Sequence, residues 1–352
     1  MTARALVTGG GGFLGKAIVG LLVDAGHEVV SFSRAAHPEV EALGARHVRG
    51  DLTDEAQVLR AVEECEVVFH VAAKADPWGP YDDFFRANVL GTRAVIKACR
   101  AAGVPKLVHT SSPCVVFHGG DLAGADETAP YGIDLGSAYQ RTKTIAELMA
   151  LSANGGGLAV VALRPHLIWG PGDNHLVPRL LARARAGRLR LFGDGQQVVD
   201  HVFIENAARA HLAAARCLTP DSPLAGRAYF ITNGEPRPIA ELLEAILGAY
   251  GLPPVRRRLP AGVAYGAAWL LEWLYRSLDL AGEPLLTRFL AKELSTAHWF
   301  DISAARRDFA YAPAVSLAEG IERLRASVGE PGEAAAARPR ARGLQNNLPR
   351  GS

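Results

Sequence analysis

Thr8-Gly9-Gly10-Gly11-Gly12-Phe13-Leu14-Gly15 lies between an apolar run, Ala5-Leu6-Val7, and a segment where Ile18, Val19, Leu21 and Leu22 recur with helical spacing. The order is strand, glycine turn, helix. Glycines permit the tight turn and the close backbone approach that a pyrophosphate needs. The helix start adds N–H groups and a positive dipole end. Gly10, Gly12 and Gly15 fit G-x-G-x-x-G, and Gly9, Gly12 and Gly15 fit T-G-x-x-G-x-x-G. Four consecutive glycines match many patterns, so the flanking strand and helix carry the inference. A dinucleotide site is expected, with Gly9, Gly12, Phe13, Leu14 and Gly15 against the ligand.

The 352 residues suffice for one large core or two lobes. With 49% hydrophobic and 21% charged residues, the composition is that of an ordinary soluble protein. The net charge of +2, from 38 basic and 36 acidic residues, gives no reason to expect nucleic acid as a partner. No uncharged apolar run has transmembrane length, and no signal peptide is visible. Cys65, Cys99, Cys114 and Cys217 are scattered without metal spacing. Reduced thiols in a cytoplasmic protein, and no metal site, are the expectation.

Working outward from the glycine turn, residues 28–34 read as the second strand, ending in Ser33-Arg34. An acid there would bind both ribose hydroxyls of NAD. A hydroxyl and a guanidinium suit a 2′-phosphate instead, so NADP(H) is preferred, with NAD(H) as the alternative. Residues 46–51 form a third strand with Asp51-Leu52 at its end, beside an adenine pocket. Residues 54–65 read as a helix. Residues 67–73 form a fourth strand, a near-continuous apolar run, from whose end Ala72-Ala73-Lys74 emerges where parallel sheets bind ligands. A helix to residue 102 and a fifth strand at 106–112 follow. This alternation predicts an α/β, doubly wound parallel sheet, the Rossmann arrangement. Residues 117–136 read as a long glycine-rich loop. Ser137-Ala-Tyr-Gln140 offers a capping box for the next helix. Residues 159–164, 198–203 and 227–232 read as strands. The remainder is mostly helical, at 177–186, 206–217, 238–250, 261–280, 284–294 and 317–326. The expected division is a dinucleotide-binding domain, 1–165 with 198–232, and a smaller, mostly helical C-terminal substrate lobe, 166–197 with 233–328. The tail 329–352 reads as disordered, ending in a cloning remnant.

Tyr139 and Lys143, four apart, share one helical face. With Ser112 they form a proton-handling set for carbonyl reduction or alcohol oxidation. A phenol of pKa about 10 can protonate an alkoxide, and a nearby ammonium is expected to favour its phenolate form. The same ammonium can hold ribose hydroxyls, and a serine hydroxyl can bind the substrate oxygen.

The glycine turn, Asp51-Leu52, Ala72-Ala73-Lys74, Asn88-Val-Leu-Gly91, Thr110-Ser-Ser112, Tyr139-x-x-x-Lys143 and Leu163-Arg-Pro165 resemble the extended short-chain dehydrogenase/reductase family over roughly residues 1–328. Within it, the chain resembles the 3β-hydroxysteroid dehydrogenase branch. More narrowly, it resembles the OleD-type 2-alkyl-3-oxoalkanoate reductases of bacterial olefin synthesis. That narrower likeness rests on Ala72-Ala-Lys-Ala75 with Trp78-Gly79, the stretch from Leu163 to Asp173, Asn233-Gly-Glu-Pro236 and Thr287-Arg-Phe-Leu290, among others. The resemblance implies Tyr139 as acid/base, Lys143 as cofactor ligand and tuner of the tyrosine, and Ser112, rather than Ser111, on the substrate oxygen. It also implies that Asn88 supports Lys143 through the helix backbone and that Pro165 lies near the nicotinamide. A homodimer is common in the family, as is a four-helix contact that includes the Tyr139 helix.

The expected activity is NADPH-dependent reduction of the 3-keto group of a long-chain 2-alkyl-3-oxoalkanoate. The resemblance hands the product to a lactone-forming synthetase and then a decarboxylase. The alternative is a 3β-hydroxysteroid (sterol-4α-carboxylate) dehydrogenase, which generally uses NAD and carries an acid at the Ser33 position. A sugar-nucleotide epimerase or dehydratase and a redox-sensing regulator are further classes. Residues 261–280 carry more apolar surface than packing needs. They read as a lid over an apolar substrate, a partner or peripheral membrane contact, or a core helix. Arg179, Arg183, Arg185, Arg188 and Arg190 could attract an anionic substrate or form a solvated face. Trp78, Phe117 and Trp169 are candidate pocket walls, and His166 either lines the pocket or is a satisfied core residue.

Overall fold

The computed structural model describes residues 3–132 and 135–328. Its framework is a sheet of seven parallel strands. In chain order the main elements are β1 (Arg4–Thr8), α1 (Phe13–Asp24), β2 (Glu28–Ser33), β3 (Arg46–Arg49), α2 (Glu55–Val62), β4 (Val67–His70), α3 (Gly91–Ala101), β5 (Lys106–Thr110), α4 (Ala138–Ser152) and β6 (Ala159–Pro165). Then come α5 (Leu176–Arg185), α6 (Ile204–Cys217), β7 (Arg227–Ile231), α7 (Ile239–Ala249), α8 (Ala261–Ser277) and α9 (Arg288–Glu293). The sheet order is β7-β6-β5-β4-β1-β2-β3. The order reverses at β1, so the crevice between the ends of β1 and β4 is the ligand position of such a sheet.

Both faces of the sheet are covered. Ala5 and Val7 face one core with Ile18, Val19 and Ala207, whereas Leu6 faces the other with Val30, Val58, Val95 and Ala150. The alternation along β1 thus serves two apolar layers, which is why the strands read as continuous apolar runs. Helices α1 and α6 pack together on one side, and α2, α3 and α4 on the other.

Several local expectations change. The helix expected to end at residue 102 is three pieces: a turn at Tyr81–Phe84, a π-helical segment at Phe85–Leu90, and α3. The loop at 117–136 contains a strand, Leu122–Ala125, which pairs in parallel with His298–Phe300. The strand expected at 198–203 is two short pairings in different sheets, Val198–Val199 and Val202–Phe203. The capping box is half formed. Ser137 accepts from the Gln140 N–H, but the Gln140 amide donates to the carbonyls of Cys114 and Phe117. The expected tail, 329–352, lies outside the described residues. No helix among the described residues is long and apolar enough to cross a membrane.

Helix α8 faces the opposite way from a core helix. Its small residues, Ala264 and Ala268, are buried with Leu286 and Ala291, while Trp269 and Trp273 are each 53% exposed. Glu272 is buried on the inner face and is held by the backbone N–H and guanidinium of Arg288.

Candidate active site

The glycine turn shows what a dinucleotide cradle requires. Gly9 has φ of +70°, and a Cβ there would lie 2.9 Å from the Ala72 Cα. The Thr8 hydroxyl accepts from the N–H groups of Val71 and Ala72, which fixes the end of β4 against the turn. Gly12 caps α1 without a side-chain hydrogen bond, leaving the helix start to an incoming anion. A Cβ on Gly15 would sit 2.1 Å from the Gly9 carbonyl oxygen. Gly15→Ala is therefore expected to force the turn open at a cost of about 1–3 kcal/mol and to weaken nucleotide binding. Nucleotide titration with wild-type affinity would contradict this.

A cavity of about 850 Å³ runs from this turn across the ends of the strands. Gly9, Gly12, Phe13, Leu14, Gly15, Ser33, Arg34, Asp51, Leu52, Ala72, Ala73, Lys74, Ser112, Tyr139, Lys143 and Pro165 all line it. Among the expected site residues, Asn88 alone does not. Asn88 sits in the π-helical segment. It accepts from the Lys74 N–H and donates to the Lys74 carbonyl and the Thr142 hydroxyl. It thus ties the Lys74 strand end to α4 through Thr142, whose hydroxyl in turn bonds the Ala138 and Tyr139 carbonyls of that helix. At the far end Arg34 is exposed, and the Asp51 carboxyl is lowered first by the Thr53 N–H and further by Arg34 and Arg86. The glycine cradle, the uncapped helix start and this guanidinium fit a phosphorylated dinucleotide.

Tyr139, Ser112 and Lys143 meet at the other end. The Ser112 hydroxyl accepts from the Cys114 N–H and stands near enough to the Tyr139 phenol to lower it, whereas the Ser111 hydroxyl is buried without a partner. Lys143 is buried and donates to the Thr110 carbonyl at 2.6 Å. Burial pushes the lysine down to about 8. Burial also raises the Tyr139 phenol, and Cys114 and Glu293 add to the rise while Ser112 opposes it. The expected net lowering of the phenol by Lys143 is not found, because desolvation outweighs other influences.

The expected pocket walls lie elsewhere. Trp169 is fully buried and donates to His201, Phe117 packs on Phe289, and Trp78 meets Tyr275 and Arg276 of α8. Arg179 faces Glu283 and Asp76, and Arg183 donates to the Leu285 carbonyl. Neither the three aromatics nor Arg179 and Arg183 line the cavity, although Asp76 does. His166 fills both roles considered for it, lining the cavity and bonding His298 at 2.7 Å. Sequence reasoning missed Asp173, His175, Arg86 and Glu293, which also line the cavity. Only Asp173, in a Gly-Pro-Gly-Asp turn, carries a local signal.

A doubly wound sheet, a glycine cradle and a serine–tyrosine–lysine set on one cavity define an extended short-chain dehydrogenase/reductase. The model of the 3-beta hydroxysteroid dehydrogenase/isomerase family matches residues 6–261. The chain belongs to that family, and with it to the oxidoreductases acting on the CH–OH/C=O pair. The chain is 52% identical over 327 residues to a 2-alkyl-3-oxoalkanoate reductase of Stenotrophomonas maltophilia, covering 92% of this chain and 99% of that protein. A protein of the same name from Shewanella oneidensis is 49% identical, covering 93% and 86%. The sterol-4-alpha-carboxylate 3-dehydrogenase (decarboxylating) of Mus musculus is 34% identical, covering 91% and 89%. Among solved structures, MoeE5 in complex with UDP-glucose and NAD superposes with a TM-score of 0.71 at 25% identity, covering 92% of this chain and 98% of that one.

Proposed function

We propose that the chain is an NADPH-dependent reductase of the 3-keto group of long-chain 2-alkyl-3-oxoalkanoates, yielding the 2-alkyl-3-hydroxyalkanoates. The observation that carries the reading is the single cavity joining Arg34 and the glycine cradle to Ser112, Tyr139 and Lys143. The identity to reductases of that name supports the substrate class. A bound reduced nicotinamide supplies hydride to the carbonyl carbon. Ser112 and Tyr139 donate hydrogen bonds to the substrate oxygen, and Tyr139 then transfers its proton there. Burial raises the phenol, so Tyr139 carries the proton it donates in reduction. Lys143, anchored on Thr110, keeps further N–H donors for ribose hydroxyls, and Pro165 borders the nicotinamide.

Residues 1–165 with 198–232 hold the cofactor in this reading, and 166–197 with 233–328 close over the substrate. His166, Leu167, Ile168, His175 and Glu293 supply that second wall. A homodimer would use the outer face of α4, where Ile145 and Leu148 are exposed. The product passes to a lactone-forming synthetase and a decarboxylase, and the apolar face of α8 is the surface assigned to such partners or to a membrane. The sterol-4α-carboxylate dehydrogenase reading, favoured by the 34% relative, needs Tyr139 as a base.

The activity is tested by incubating a 2-alkyl-3-oxoalkanoic acid with NADPH and identifying the product by mass spectrometry. Gain of two hydrogens at C3 and its oxygen is expected, and unchanged ketoacid would refute the reading. Arg34→Ala is expected to weaken NADPH by about 1.5–3 kcal/mol, the range for a hydrogen bond to a charged group, and NADH far less. Equal losses for the two cofactors would refute 2′-phosphate recognition by Arg34.

A further inference from the structure

Glu293, the last residue of α9, reaches the catalytic end of the cavity from the second lobe. Its carboxyl has no side-chain hydrogen bond or ion pair among the described residues. It stands close enough to Tyr139 and Cys114 to raise both electrostatically. An acid without a partner beside a catalytic phenol calls for a function.

Two histidines fix its position. His298 Nε2 lies 2.8 Å from the Glu293 carbonyl oxygen, so this nitrogen carries the proton and donates. In the neutral ring Nδ1 is then the acceptor, and it receives the Nε2–H of His166 at 2.7 Å. Burial keeps both rings below their ordinary values, so the chain of donors has one direction. His166 and His298 thus hold the end of α9 at the cavity wall and act as positioning residues.

We propose that Glu293 binds substrate as a carboxylic acid, sharing its proton with the carboxylate of an anionic ketoacid, and is the wall that selects an acid over a neutral ketone. This rests on the substrate reading above. An ionised Glu293 would repel that carboxylate in a poorly solvated site, whereas the protonated form donates a charge-assisted hydrogen bond. Burial alone pushes this carboxyl up to about 7. The facing groups do not replace its proton. Ser112 is neutral, and the Tyr139 and Cys114 protons are held by burial. The imidazoles of His166 and His298 are neutral, and Lys143 is turned to Thr110. On its own helix Lys292 points to the Tyr265 ring, and Arg288 pairs with Glu272. Asp173 and His175 line the same cavity.

The test is the pH dependence of KM for a 2-alkyl-3-oxoalkanoic acid, beside a neutral ketone lacking the carboxyl, with saturating NADPH. For the wild type, KM of the acid is expected to rise about tenfold per pH unit above neutrality, as for loss of one required proton, while KM of the ketone stays flat. Glu293→Gln is expected to flatten the acid's profile, and Glu293→Asp to keep a rising limb. A Glu293→Gln enzyme with the wild-type rise, or the same rise for the neutral ketone, overturns the proposal. If Glu293→Gln does not fold, a Glu293→Asp profile with an unmoved midpoint overturns it instead. A wild-type enzyme that binds NADPH but reduces neither compound overturns the substrate reading, and this inference with it.

Discussion

Tyr139→Phe is expected to lower kcat by about 10²–10⁴-fold, the usual worth of a positioned proton donor, and to leave NADPH binding intact. The substitution removes one oxygen from a residue that the α4 backbone already places. The ring can keep its position because Lys143 is anchored on Thr110 and Gln140 on the carbonyls of Cys114 and Phe117. Ser112 retains the Cys114 N–H as a donor to its hydroxyl. The loss should therefore appear in turnover, not in nucleotide affinity, and the pairing of steady-state kinetics with NADPH titration separates the two. Near-normal kcat would remove Tyr139 from the proton path. A parallel loss of NADPH affinity would show that the ring supports the cofactor site instead.

The largest expected effect on stability lies one turn along the same helix. Tyr139, Lys143 and Glu147 follow at four-residue intervals, so α4 presents all three on one face. Glu147 is fully buried and accepts two hydrogen bonds from Arg164 of β6, itself almost fully buried, and one from Tyr131. The guanidinium also lies over the rings of Tyr131 and Phe230. Glu147→Ala would strand this cation in the core, and breaking such a pair costs about 3–5 kcal/mol. Urea unfolding should report that loss, and a change below about 1 kcal/mol, the range of exposed pairs, would contradict it. The same carboxylate helps to raise the Lys143 pKa against burial. Any folded Glu147→Ala enzyme should therefore lose Lys143 protonation at lower pH than the wild type.

What the sequence disclosed follows physical range. The parallel strands are apolar runs and the glycine cradle is contiguous, so local pattern carried the strands of the sheet and the cofactor end, but not the order of the strands. Tyr139 and Lys143 share a helix turn, and Ser112 follows the end of β5 by two residues. The strand at Leu122–Ala125 was hidden because it is four residues long, contains Gly124 and pairs with residues near 300. Glu293 gave no signal because its meaning comes from Tyr139, more than 150 positions earlier. The tryptophans of α8 left a lid, a partner or membrane contact and a core helix all open, since apolar periodicity does not tell which face is turned inward. Here Ala264 and Ala268 pack closely and the large side chains are left outside. The arginines of α5 were likewise legible as charges but not as partners of Glu283, Asp76 and the Leu285 carbonyl.

The central claim is tested most directly by comparing two initial rates on one enzyme preparation. One is NADPH oxidation with a 2-alkyl-3-oxoalkanoic acid, and the other is NAD reduction with a 3β-hydroxysterol 4α-carboxylate, each repeated with the other cofactor pair. Faster turnover of the ketoacid, with NADPH preferred over NADH, is the predicted result. Turnover of the sterol alone, with NAD, would contradict it and would make Arg34 a surface charge rather than a phosphate ligand.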